Sequence, residues 1–401
     1  MSAKLNPNPS ISIVIPTRNR SECAIKCVLS CLEAAKKSEV IILDSSEDDS
    51  LNKLVVEMVD PSNIARVKYY KTDERLNVVE NFESGLQYCT GDFVTYLGDD
   101  DLLGPNIDKI CQWAKRHGVD SIVSYGLSFG VSYYWPGVSS KYFGDAYNAK
   151  LFVKSMTGNI EHINLTKEMR LTKNNIGFGL AKLPRIYHGI VSLNLIREVL
   201  GAHGKLFGGV SPDIYSAVLL SHYCKSPVFI DYPICVPGAS PKSEAGSGAA
   251  RTDRDSFHGS AYLSRFKNLE WNELVPKFFS PYNVWGYSMA EAIIDSGRKV
   301  EPEFYAKIYI RCLVYCFSYR AEIFRAYRIY LKEYGIFRGL FCTAKAALSE
   351  VAFSFVKYGN KIIHMKAGEG ATQYSNIVDS LSAHYLLLEL QEESFLEKME
   401  H

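Results

Sequence analysis

Along the first third of the chain, short unbroken apolar runs alternate with longer stretches in which apolar residues recur every three or four positions. Ile11-Ser12-Ile13-Val14-Ile15 is such a run, and the proline and polar side chains of Pro16-Thr17-Arg18-Asn19-Arg20 end it in a loop. A helix is expected over residues 21–37, then a second buried strand, Val40-Ile41-Ile42-Leu43, that stops at Asp44. Leu51, Leu54, Val55 and Met58 stand at i, i+3, i+4 and i+7, one helical stripe. Residues 67–70 predict a third strand; Val79, Phe82, Leu86 and Cys89 predict another amphipathic helix. Phe93-Val94-Thr95-Tyr96-Leu97 is a fourth strand, followed by a helix marked by Ile107, Ile110, Cys111 and Ala114 and a strand over 121–125. Strands alternating with helices imply an α/β, doubly wound, mostly parallel sheet with helices on both faces. Ligands of such sheets sit beyond the carboxyl ends of the strands, which gathers Thr17, Asp44 and Asp99 to Asp101 along one crevice.

After residue 125 the pattern turns aromatic and irregular, with Tyr133-Tyr134-Trp135-Pro136-Gly137 and Tyr142-Phe143. These rings either stack on the apolar face of a ligand or simply pack a core. Leu183-Pro184-Arg185-Ile186-Tyr187-His188-Gly189 leads into a short strand, with His188 read as a metal or acceptor contact or as a hydrogen-bonded structural histidine, and Tyr187 beside it. Gly208-Gly209-Val210-Ser211-Pro212-Asp213 opens a helix running to about residue 223. The glycines let backbone approach a ligand, and Asp213 is in the first turn, where a cap is the simpler reading. Small residues over 238–256 mark a lid or a linker, and the remainder is helical.

Composition narrows the class. The chain has 401 residues, 47% apolar and 22% charged, with a net charge of +1 that argues against nucleic acid as the main partner. Ten cysteines without a Cys-x-x-Cys pair, and a polar start at residues 1–9, point to a reducing cytoplasm. Cys23, Cys27 and Cys31 share a helical face and read as packed thiols. No apolar run is long enough to span a bilayer. Residues 298–366 carry thirteen Lys or Arg against five Glu, net +8, interleaved with aromatic residues such as Phe324, Tyr327 and Tyr330. Such a surface suits an anionic membrane, an oligomer contact or plain solvent.

The candidate chemistry is concentrated in Gly98-Asp99-Asp100-Asp101. Three adjacent acids at a buried strand end repel one another unless a cation neutralises them. Mg²⁺ or Mn²⁺, hard ions shared between carboxylates and substrate phosphates, fits that role.

Taken together, Ile13-Val14-Ile15-Pro16-Thr17-Arg18-Asn19-Arg20, Ile41-Ile42-Leu43-Asp44-Ser45-Ser46, residues 77–91 and Gly98-Asp99-Asp100-Asp101 resemble the nucleotide-binding half of family 2 glycosyltransferases of the GT-A fold. The resemblance covers residues 10–125 well and 185–240 loosely. It implies a metal-dependent inverting transferase that moves a sugar from a nucleotide-sugar, UDP-sugar favoured, to a saccharide or lipid-linked saccharide in bacterial surface polysaccharide synthesis. Pro16, Thr17, Arg18, Asn19, Asp44, Arg75, Asn77, Asp99 and Asp100 are then nucleotide-sugar contacts, Asp101 and Asp99 hold the metal, and Asp213 is the general base. Family members carry two acids and a glycine after the second strand where this chain has Asp44-Ser45-Ser46. The expected division is a GT-A domain over 1–255, with nucleotide half 1–125 and acceptor half 126–255, and a helical region over 256–401. The expected setting is the cytoplasm, peripheral to the membrane, with homo-oligomerisation open. Two other classes compete: a sugar-phosphate nucleotidyltransferase, whose glycine-rich first loop Pro16-Thr17-Arg18-Asn19 does not provide, and a non-catalytic saccharide-binding module.

Overall fold

The protein was analysed as a computed structural model, which describes residues 9–140, 143–154, 156–243, 262–267, 269–363, 368 and 370–390. In chain order its strands are β1 (Ile11–Thr17), β2 (Ser38–Asp44), β3 (Val67–Lys71), β4 (Phe93–Tyr96), β5 (Leu102–Leu103), β6 (Ser121–Val123), β7 (Val131–Tyr134), β8 (Lys150–Val153), β9 (Ile160–His162), β10 (Gly189–Ser192), β11 (Pro227–Ile230), β12 (Cys235–Val236), β13 (Gly238–Ala239) and β14 (Thr372–Ser375). Eight of them form one sheet in the order β3-β2-β1-β4-β10-β6-β11-β9. β3, β2, β1 and β4 are mutually parallel, β11 is parallel to β6, and β10 and β9 run against their neighbours. The expected doubly wound, mostly parallel sheet is present.

Why the first strands are apolar without a break follows from where their side chains go. On β1, Val14 faces one core while Ile13 and Ile15 face the other; on β2, Ile41 and Leu43 oppose Val40 and Ile42. Successive strand residues point to opposite faces, so a sheet covered on both sides needs every position apolar. Helix Ser21–Ala34 covers one face, and its Cys27 and Cys31 are buried free thiols, with Cys23 partly buried. Helices Val78–Gly85, Leu193–His203 and Pro212–Leu220 contribute to the other face.

That second core runs on into helices Pro281–Asp295, Pro302–Tyr315, Arg320–Tyr334 and Ile336–Ile363, the helical carboxyl-terminal region. The tie is partly ionic. Arg311, fully buried, places Nε 2.9 Å from Glu350 Oε2 and donates to the carbonyls of Ile176 (2.6 Å) and Asn174 (2.7 Å). The chain then returns: β14 pairs antiparallel with β8, and helix Ser380–Leu390 packs on helix Ser21–Ala34. Tyr142, residues 244–256 of the expected lid or linker, and the acids Glu392, Glu393 and Glu397 lie outside the described residues.

Candidate functional site

Strand β4 ends at Tyr96, and Leu97-Gly98 delivers the three acids to the mouth of the sheet, where the β1 loop meets them. Asp99 is fully buried: Oδ2 accepts from Thr17 Oγ1 at 2.6 Å, and Oδ1 lies 2.5 Å from an Arg20 guanidinium nitrogen. Burial, partly offset by Arg20 and reinforced by Asp100, pushes its carboxyl up to about 7. Asp100 Oδ2 accepts from the Ser240 amide at 2.8 Å and sits 3.5 Å from Arg20, while Oδ1 carries none of these contacts. Its carboxyl is also raised, by burial first and by Asp101 next.

Asp101 is the most fully engaged of the three. Oδ2 accepts from the Gly98 amide at 2.6 Å and lies 2.5 Å from His188 Nε2; Oδ1 accepts from the Gly238 amide at 2.7 Å. Gly238 is required by that approach, because a Cβ there would fall 1.8 Å from the Asp100 carbonyl oxygen. His188 Nδ1 is 2.9 Å from the Tyr125 hydroxyl, so the ring bridges Asp101 and Tyr125. The ring of Tyr187 stacks on it at 4.0 Å, with its hydroxyl 3.4 Å from Asp101 Oδ2. Of the readings open for His188, the geometry matches a hydrogen-bonded positioning group.

These groups edge a cavity of about 690 Å³ whose walls include Pro16, Thr17, Arg18, Asn77, Asp100, Asp101, Tyr187, His188 and Asp213. Asp213 belongs to helix Pro212–Leu220, with Pro212 at the first helical position; Ser211 makes no side-chain cap, and the Asp213 carboxyl accepts from amides of its own first turn. Its carboxyl is raised by burial, with the Ile214 amide and the charge of His188 pulling the other way. The glycine pair before it packs inward, since a Cβ on Gly208 would strike the Tyr215 ring and one on Gly209 would strike Ser288.

Four of the expected contacts do not line the cavity. Asp99 lies beneath its floor, as just described. Asp44 is fully buried, with Oδ1 accepting from the Ser46 amide (2.8 Å) and Oδ2 from the Tyr69 hydroxyl (2.7 Å); its neighbour Ser45 reaches the cavity instead. Asn19, at φ 53°, exchanges hydrogen bonds with Ser46 and Glu47. Arg75 is exposed and forked onto Asp73, with Nη2 2.6 Å from Oδ2. Asn77 lines the wall but spends its side chain on a capping box with Glu80.

Sequence reasoning left out several groups found here. Arg20 bridges Asp99 and Asp100, and Arg265 lines the cavity while donating to the carbonyls of Glu74 (2.5 Å) and Leu76 (2.6 Å). The Trp135 indole donates to the Asp100 carbonyl at 2.7 Å, and the Ser240 and Gly238 amides hold Asp100 and Asp101. Arg20 stood inside the first loop motif, Trp135 inside the aromatic stretch, and Gly238 and Ser240 inside the small-residue stretch; Arg265 had no local signal.

Among the described residues no group of three His, Cys, Asp or Glu side chains is arranged to hold a metal ion. Within the acid cluster Asp99 and Asp101 are committed to internal partners, and Asp100 Oδ1 is the oxygen that could hold a cation. That fits a hard divalent ion completed by substrate phosphate oxygens.

Residues 12–178 match the family model described as Glycosyl transferase family 2. GalNAc(5)-diNAcBac-PP-undecaprenol beta-1,3-glucosyltransferase of Campylobacter jejuni is 31% identical over 113 residues, 27% of this chain and 35% of that one. WcaA of Escherichia coli (strain K12), whose name ties it to colanic acid biosynthesis and glycosyl transfer, is 28% identical over 153 residues, 37% of this chain and 53% of that one. The chain thus spans about a third to a half of the length of the curated relatives it matches. Among solved structures, S. aureus TarS 1–349 in complex with UDP-GlcNAc overlays with a TM-score of 0.47 at 12% identity, covering 85% of this chain and 91% of that chain.

Proposed function

From a chain that carries a family 2 glycosyltransferase domain over residues 12–178, we propose an inverting transferase that moves a sugar from a nucleotide-sugar, UDP-sugar favoured, to a saccharide acceptor in polysaccharide synthesis. The observation that carries this reading is the cavity itself. It brings Thr17, Asn77 and the Asp100–Asp101 pair together with Asp213, which stands more than a hundred residues further along the chain.

The acceptor hydroxyl oxygen attacks the anomeric carbon, the bond from that carbon to the diphosphate breaks, and Asp213 takes the hydroxyl proton. Burial that raises the Asp213 carboxyl makes it a stronger base than an exposed aspartate. Arg20 and Thr17 fix Asp99 beneath the donor, and His188 with two backbone amides fixes Asp101, so Asp100 is presented to the diphosphate on a rigid floor. A divalent cation, Mn²⁺ or Mg²⁺, held by Asp100 supplies neutralisation of the leaving diphosphate. Support for a lipid-linked acceptor comes from the undecaprenol-linked substrate in the Campylobacter relative's name. The basic, phenylalanine-rich helices 320–363 support peripheral attachment to an anionic membrane; no helix among the described residues is long and apolar enough to cross one.

A thermal-shift panel of nucleoside diphosphates with and without Mn²⁺ tests the reading. A ligand at about 100 times its dissociation constant stabilises by roughly 2.7 kcal/mol. UDP with Mn²⁺ is expected to give the largest shift, and a panel in which no nucleotide stabilises the protein sinks the proposal.

A further inference from the structure

We propose that the protein has a second ligand site, remote from the donor cavity, that binds a phosphate-bearing anion. The cavity concerned is the larger of the two, about 870 Å³, and it lies between helix Leu165–Asn174 and the helices of the carboxyl-terminal region. Six cationic side chains line it, Arg170, Lys173, Arg298, Lys299, Lys307 and Lys345, against only Glu301 and Glu303.

Five of the six cations are not spent on internal partners. The side chains of Arg170, Lys173, Arg298, Lys299 and Lys345 make no hydrogen bond or ion pair with a described residue. Lys307, only 5% exposed, donates to Ser349 Oγ at 2.7 Å and lies 3.5 Å from Glu350 Oε2. That same carboxylate oxygen already serves the fully buried Arg311, which does not line the cavity, so Lys307 shares its one acid with a second buried cation. Buried charge is ordinarily paired, which bears on Lys307, and the more exposed cations around it repel one another with only Glu301 and Glu303 as counter-charge. An anion with several oxygens removes both costs, and charge-assisted hydrogen bonds from Lys and Arg favour phosphate and diphosphate groups. Burial holds the ammonium groups of Lys173 and Lys307 below the usual lysine range.

The site is distinct from the donor cavity yet joined to it by secondary structure. Helix Pro212–Leu220 starts with Asp213 in the donor cavity, and Ser221 and His222 just past its end line the basic one; helix Pro281–Asp295 likewise lends Trp285 to the first and Ile293 to the second. Nine helical residues rise about 13 Å, too far for one diphosphate to occupy both.

The test is titration calorimetry of the full chain with inorganic pyrophosphate and, separately, with a short-chain phosphatidic acid kept monomeric. The comparison is with the triple variant Arg298→Glu, Lys299→Glu, Lys345→Glu, whose three positions are exposed. UDP binding serves as the measure of an intact donor cavity. The expected result is at least tenfold weaker binding of one or both phosphate probes in the variant with UDP affinity unchanged. Loss for pyrophosphate alone assigns the site to a free phosphate ligand, and loss for the lipid alone to a headgroup. Equal affinity of parent and variant for both probes, or no binding of either by the parent beyond its UDP site, overturns the proposal.

Discussion

Asp213 and the three acids Asp99 to Asp101 make separable claims at the residue scale. Asn at position 213 keeps the shape of the side chain and its place in the first helical turn while removing its basicity. Asp213→Asn is expected to fold and bind UDP as the parent does and to lose transfer by on the order of 10² or more. Because the Asp213 carboxyl is raised, the acid limb of the kcat/KM profile should lie above the ordinary carboxylate range; near-parent turnover in the variant would move the base elsewhere. Among the acids, Asp100→Asn should remove any Mn²⁺ enhancement of UDP binding while leaving the fold intact. Asp101→Asn should instead destabilise, since it disturbs His188 and the Gly98 and Gly238 amides together. Equal metal dependence in parent and Asp100→Asn would contradict the donor assignment. Asp99 makes a stability claim with a definite sign. Folded, it keeps its proton up to about pH 7, whereas the unfolded chain releases it near the usual carboxylate value. Between those limits the folded state holds the extra proton, so its contribution to stability falls as pH rises through that window. Chemical denaturation at pH 5 and pH 7 should show a smaller pH dependence for Asp99→Asn than for the parent, and an unchanged one would be evidence against a protonated Asp99.

Elements buried on both faces were legible, and elements made by distant pairing were not. β1, β2 and β4 announced themselves because a parallel sheet between two helical layers admits little but apolar residues, and their ends matched to within about two residues. β7, β8, β12 and β13 are two to four residues long and exist through partners elsewhere, as when β12 pairs with β5 and β13 with β7. The stretch that begins at Gly238 read as lid or linker, yet residues 238–240 cap the acid cluster through backbone amides, which no side-chain pattern discloses at sequence separations of 137 and 140 residues. Helix Ile336–Ile363 was expected to be basic; the structure adds an apolar stripe. Phe337 is 92% exposed, Phe341 69%, Leu348 74% and Phe355 76%, and these positions recur on one side of the helix. An apolar stripe beside a basic surface is what an interfacial helix presents to a bilayer. Phe337→Ser with Phe341→Ser is therefore expected to reduce retention on anionic vesicles at physiological salt, where charge attraction is screened over about 8 Å. Retention equal to that of the parent would leave charge as the whole of the attraction.

At the scale of the whole molecule, the last described segment is built into the fold that carries the site. β14 extends the small sheet of β13, β7 and β8, and Ile377, Ala383 and Leu387 complete the apolar cluster formed by Leu102, Val131, Tyr133 and Val236. His384 Nδ1 lies 2.9 Å from the Leu103 carbonyl oxygen, and the Tyr133 hydroxyl donates to the Ile377 carbonyl at 3.2 Å. Leu102 and Leu103 follow Asp101 directly, so this packing holds the exit of the acid cluster from its far side. Burying an Ile or Leu side chain is worth roughly 2 kcal/mol, which puts the contribution of Ile377 and Leu387 alone at about 4 kcal/mol. Deletion of residues 368–401 is accordingly expected to lower the melting temperature by several degrees and to weaken UDP binding, although none of the described residues among them lines the donor cavity. A smaller cut at residue 391, which leaves helix Ser380–Leu390 in place, is the control against which that loss is read. If the longer deletion keeps parent stability, the returning segment is dispensable and the acid cluster is held by β12, β13 and the floor beneath it alone.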